Sequence, residues 1–240
     1  MSKPAVVGAG LMLAALLTGG CASALNESQL DRLESVTLVP PTAAKDAYHK
    51  PDATKSPGMA NLVPLAAAGG FIPALVGGAI DKGVMITQQK DFEQSAAKYF
   101  EQIKPAASTL PLTPIERQFR NRLKADPFFG PRYDEHSRNT FYVEVTKLGL
   151  IRATEATKDD MKLCYEITAT VTLYLESGGK LIEELITGTS TSSARIAQIY
   201  EKPALLSKFR VEAIISLSEK FQGVLDLRLG RTSQSLFQSK

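Results

Sequence analysis

Tryptophan is absent from this chain, and its 240 residues hold only two cysteines and two histidines. So few soft ligands exclude the zinc frameworks built on repeated Cys and His pairs, and neither C-x-x-C nor H-E-x-x-H occurs. No charge of one sign dominates, since 28 basic residues face 25 acidic ones for a net charge of +3. Nucleic-acid binding calls for a clustered positive surface, so no nucleic-acid partner is expected. No G-x-x-x-x-G-K loop occurs, and no G-x-G-x-x-G follows a strand. The expectation is therefore no metal and no cofactor. What is present is a globular composition, 44% hydrophobic and 22% charged, in a chain long enough to bury a real core.

The amino terminus carries the clearest signal. Lys3 is the only charged side chain in the first 25 residues, and Val6 to Leu17 is an almost unbroken apolar run. Small residues Thr18-Gly19-Gly20 lead to Cys21. A basic start, a short apolar run and a small-residue exit describe a secretory signal, and the run is too short to span a bilayer. Leu16-Leu17-Thr18-Gly19-Gly20-Cys21 resembles the bacterial lipobox, although the usual Leu three positions before the cysteine is Thr18 here. The resemblance implies that Cys21 is acylated and becomes the first mature residue. Ala22 and Ser23 behind it imply sorting to the outer membrane. A competing A-x-A at Ala22-Ser23-Ala24 would instead release a mature chain at Leu25. With Cys21 acylated no intramolecular disulfide can form, and Cys164 reads as a small strand residue.

Beyond the signal (1–20), the expected divisions are a lipidated tether over 21–34, one domain over 35–229 and a polar tail over 230–240. Asn26 and Gln29 form a capping box for a short helix, with Leu25 stapled to Leu30. Val36–Val39 is a short β run stopped by Pro40-Pro41, and residues 42–58, with His49, read as an exposed loop. Residues 56–80 carry no charge. Within them Ala66, Gly70, Ala74 and Gly78 recur every four residues, a smooth strip that on a helix admits another backbone closely. That segment is read as a buried helix, an oligomer contact or a membrane contact. Residues 84–104 have helical periodicity through Met85, Phe92, Ala96, Tyr99 and Ile103. Thr113-Pro114-Ile115-Glu116 reads as a capping box opening a helix that buries Ile115, Phe119 and Leu123 and stops at Pro127.

The carboxyl half is β and then helix. Phe141, Val143 and Val145 share one face of a strand from Thr140. Met161 to Glu176 alternates for 16 residues, which a half-buried antiparallel strand requires. Ser177-Gly178-Gly179-Lys180 is a hairpin turn, and Leu181–Thr191 is the returning partner. Pro203 opens a last helix with a stripe of Leu206, Phe209, Ala213, Leu217, Phe221 and Val224. A first strand followed by helices should cross over to lie parallel to its neighbour. The expected fold class is α/β, a mixed sheet with an antiparallel three-strand meander packed by helices.

Chemistry is thin. Tyr133-Asp134-Glu135-His136-Ser137-Arg138 sets acid, base and hydroxyl side by side, the best candidate for a hydrolase, but a base must reach its nucleophile in space. The expectation is a solvated loop. Gly188-Thr189-Ser190 lacks the second glycine of a nucleophile elbow, and Glu183 and Glu184 alternate to opposite faces of a strand.

The order of a proline-ended strand, a glycine-rich segment, a helix ending at Asp126-Pro127-Phe128-Phe129, then Tyr142–Thr146, a long hairpin and a terminal helix carries a further likeness. It resembles a group of bacterial envelope lipoproteins that includes the curli-secretion and exopolysaccharide-export lipoproteins and the amino-terminal domain of the Tol-system translocation protein. The resemblance implies a non-catalytic periplasmic domain docking on envelope proteins, often as a homo-oligomer, with the bilayer held through Cys21. A membrane-active oligomer or small-ligand carrier using residues 62–80 is the alternative, ahead of an enzyme.

Overall fold

The computed structural model describes residues 24–49, 99, 101–153 and 162–231. The expected signal, residues 62–80, most of the 84–104 helix and the polar tail after Arg231 lie outside them.

The meander forms, but its middle strand is not the half-buried one expected: Cys164, Glu166, Thr168 and Thr172 of its polar face are buried as well. Strands β3 (Thr140–Arg152), β4 (Lys162–Tyr174) and β5 (Lys180–Thr189) pair antiparallel in order. Short strands β1 (Thr37–Leu38) and β2 (Thr42–Ala43) run parallel to β3, and β6 (Ala194–Arg195) pairs β4 beyond the end of β5. The sheet is therefore mixed, with spatial order β1-β3-β4-β5. At the turn, Gly178 adopts φ +87°, a left-handed value that a side chain rarely tolerates.

The helices are α1 (Glu27–Leu30), α2 (101–108), α3 (Leu112–Ala125), α4 (Ile196–Glu201) and α5 (Ala204–Arg228). The apolar stripe of α5 lies on β4 and β5, and α3 packs beside α5. Phe119 and Phe221 stack at 4.5 Å, and Phe141 and Phe129 extend the cluster edge-on. Phe119, Phe129, Phe141 and Phe221 are fully buried. Truncating any one of them to alanine would cost about 3–5 kcal/mol.

Several expectations are corrected. The strand from Thr140 runs seven residues past Val145, because a bulge between Val145 and Lys147 shifts the phase of the alternation. Leu148 and Leu150 then carry the buried face forward. Residues 42–49 are not a free loop, although Thr42, Ala43, Lys45 and Asp46 are exposed as expected. Thr42 and Ala43 pair with Glu144 and Val145, and Tyr48 bridges Leu148. His49 is correspondingly not a solvated loop histidine: its N–H donates to Leu148 O at 3.0 Å and its ring lies against Gly149. A Cβ at position 149 would meet His49 O at 2.8 Å. The box at Thr113 does not form. The helix starts at Leu112 with Pro111 as its cap and no side-chain bond there, while Glu116 pairs Arg120 one turn on. Pro114 is tolerated because the first-turn N–H groups have no intrahelical acceptor in any case.

The tether expected over 21–34 is shorter than its sequence range. Leu25 and Leu33 are buried in the same core cluster as α5, so residues 25–34 belong to the body. The capping box of Asn26 and Gln29 forms as read, but Leu25 is spent on the core.

Candidate functional site

Cys21 and the strip Ala66, Gly70, Ala74 and Gly78 lie outside the described residues. What the structure supplies is the point where the chain departs toward Cys21. Leu25 is 8% exposed, and its N–H donates to Arg228 O at 2.7 Å. That bond uses one of the last carbonyls of α5, which has no partner within the helix. Ala24 is exposed beside Gly230. The amino-terminal segment is thus clipped to the carboxyl end of α5.

Two polar hubs, neither of which stood out in the sequence, hold this end together. Asp126 is 3% exposed and accepts from the N–H groups of Phe128 and Phe129, from Gln222 Nε2 and from Arg231. Burial works to raise its carboxyl pKa. The hydrogen bonds from Arg231, Phe129, Gln222 and Phe128 outweigh that and hold it below the usual carboxylate value. Asn139 donates to Ser35 O at 2.9 Å and to Arg32 O at 3.3 Å, and accepts from Glu176 N–H at 2.9 Å. It fastens the segment after α1 to the start of β3 and to the β4–β5 turn. The only sequence signal for either hub was position, an Asx residue just past a helix end and just before a strand, where its side chain serves orphaned backbone groups.

At the other end of the sheet, Glu212 of α5 accepts from Ser192 N–H, Ser192 Oγ and Thr191 Oγ1. Burial pulls its pKa up, and these bonds together with Lys208 bring it below the ordinary value. Tyr165, fully buried, donates to Ala107 O at 2.8 Å and seats α2 on the sheet. Burial pushes its phenol up to about 12.

The loop read as the best hydrolase candidate is built otherwise. Asp134 Oδ1 accepts the backbone N–H of His136, closing its own turn. Ser137 Oγ accepts from Ser35 Oγ and from Asn139 N–H. Glu135 faces Arg120 and Lys124. Glu183 and Glu184 part as expected, the first to Lys180 and the second to Arg228. Cys164 is buried, its Sγ 4.0 Å from Arg152 O. Among the described residues no group of three His, Cys, Asp or Glu could hold a metal, and no helix is long and apolar enough to cross a membrane.

The sheet face away from α5 carries Tyr142 and Leu185, 47% and 60% exposed. A shallow cleft of about 500 Å³ crosses it, lined by Thr42, Tyr142, Glu144, Thr170, Thr172 and Tyr174. Among the described residues no strand pairs the outer edge of β5.

No protein-family model matches the chain, and no curated protein matches it. The solved structure of a minor lipoprotein from Acinetobacter baumannii is similar over 51% of this chain and 87% of that one, at 14% identity and a TM-score of 0.37. A likeness of that size carries no argument about ancestry or role.

Proposed function

We propose that the chain is an outer-membrane lipoprotein, held by acyl chains on Cys21 and facing the periplasm, that acts as a non-catalytic structural or assembly component of an envelope complex. The observation that carries the reading is Cys21 itself, placed directly where the apolar run and its small residues end. Each buried acyl CH₂ contributes about 0.8 kcal/mol, so several chains together hold far better than one. The outer edge of β5 and the sheet face around Tyr142 and Leu185 offer main-chain and apolar surface to envelope proteins or to a second copy. Mass spectrometry of the mature amino terminus tests the anchor. Acylated Cys21 is the expected first residue, with Cys21→Ser released from the membrane fraction. A mature chain that starts at Leu25 would overturn it. Crosslinking followed by native mass measurement in detergent tests the assembly role; a strict monomer with no partner refutes it.

A second reading rests on residues 62–80, within the uncharged run 56–80, a membrane-active oligomer or small-ligand carrier. Vesicle binding by Cys21→Ser chains, abolished when Gly70 and Gly78 become Leu, would favour it over the first.

A further inference from the structure

We propose that the end of the body formed by α1, the β4–β5 turn and the carboxyl end of α5 is held at the lipid surface, nearer to it than the opposite end. The proposal depends on the acylation of Cys21 argued above. The chain emerges from the body at Ala24, since Leu25 is buried and bonded to Arg228 O. Only three residue steps separate Ala24 from Cys21, and fully extended they cover about 10 Å. A bilayer's headgroup layer is itself about 6 Å deep on each side. So short a leash keeps the point of emergence close to the headgroups.

The register shows which residues share that end. Thr140 pairs Tyr174 at one end of the β3–β4 ladder, and Arg152 pairs Leu163 at the other. A strand of 13 residues spans about 43 Å at about 3.3 Å per residue. Asn139 bonds the segment after α1 to the β4–β5 turn through Arg32 O, Ser35 O and Glu176 N–H. Arg228, beside the point of emergence, pairs Glu184 of β5. The residues from Ser190 to Glu201 lie past the far end of β5, where Ser192 bonds Glu212 near the start of α5. A leash of about 10 Å keeps one end at the bilayer in every orientation of the body, whereas the other end reaches it only when the long axis lies flat.

Several cations at this end are already paired, Arg138 with Glu176 among them. Arg228 is paired with Glu184, and Arg231 with Asp126 and Asp226. The orientation is set by leash length and should persist at high salt, where headgroup attraction is screened.

The test uses the full lipidated chain in vesicles of phosphatidylethanolamine and phosphatidylglycerol containing a headgroup-linked quencher. A fluorophore is placed on Ser28→Cys, Ser177→Cys or Lys202→Cys, all exposed positions; the Cys164 thiol, 2% exposed, does not compete for label. Quenching is expected to be several-fold greater at 28 and 177 than at 202, in low and high salt alike. A 20-residue Gly-Ser insertion between Ala24 and Leu25 should abolish the difference without releasing the protein. Equal quenching at all three sites, or a difference that survives the insertion, overturns the proposal. So does a Ser28 label shielded from aqueous quencher yet untouched by the lipid one, because protein would then cover this end. An unacylated amino terminus overturns the anchor reading together with this one, whereas an acylated chain with equal quenching overturns this one alone.

Discussion

Alanine at Gly188 would place its methyl carbon 2.4 Å from Ala213 O, 2.4 Å from Leu217 N and 2.7 Å from Leu217 Cα. All three are backbone atoms of α5, so no side-chain rotation relieves the clash. Carbon contacts settle near about 3.5 Å, which requires strand and helix to part by about 1 Å. The helix cannot yield locally, because Leu206, Phe209, Ala213, Leu217, Phe221 and Leu225 are each 3% exposed or less. Overpacking costs about 1–3 kcal/mol in such cores, and backbone-to-backbone contact puts this site at the upper end. About 3 kcal/mol corresponds to a Tm lowered by about 6–12 °C for a chain of this size. The same substitution should behave oppositely elsewhere. At Gly223, inside α5, the new Cβ meets nothing within 4 Å, so alanine should stabilise by about 0.5–1 kcal/mol. At Gly179 the Cβ again meets nothing within 4 Å, and the change should stay within about 0.5 kcal/mol. Urea unfolding followed by far-ultraviolet circular dichroism measures all three. If Gly188→Ala unfolds like wild type, or if Gly223→Ala costs as much, the close approach of β5 to α5 is not what seats the helix.

Two further outcomes follow from the buried polar groups Asp126 and Tyr165. The carboxyl of Asp126 is held below its ordinary value, so its contribution is complete above about pH 4 and is lost as pH falls through the lowered folded value. Asp126→Asn should cost about 1–3 kcal/mol at pH 7 and flatten the loss of stability as pH falls below about 4 in denaturant titrations; an unchanged acid limb would refute the role of the hub. Tyr165→Phe removes the donor to Ala107 O and should cost about 1–2 kcal/mol with faster amide exchange across α2. Since the Tyr165 phenol is pushed up to about 12, wild-type stability from this group is present below pH 10 and lost as pH rises toward 12. Alkaline ultraviolet titration of the variant should lack the last-ionising tyrosine.

Local pattern determined much of this protein. A period of two over 16 residues with Gly178-Gly179 behind it admits little but a long antiparallel hairpin, and β4 and β5 pair through the turn it names. The stripe from Leu206 to Val224 has the spacing of one helix face, and α5 buries its members up to Phe221, with Ile214, Ser218 and Leu225 beside them, while Val224 is only half-buried. Ile115, Phe119 and Leu123 did the same for α3. The capping box at Asn26 was legible because both partners lie three residues apart. Tertiary structure alone decided the rest, since it depends on partners distant in the chain. The bulge at Thr146 broke the alternation that a single strand displays. His49 took its place from Leu148 and Gly149, about a hundred residues on. Gly188, weighed in sequence only as part of an absent nucleophile elbow, proved to be the gap that lets α5 approach the sheet. Leu25 looked like a local staple until the far end of α5 supplied its neighbours, and that distant contact brings the point of emergence within three residues of Cys21.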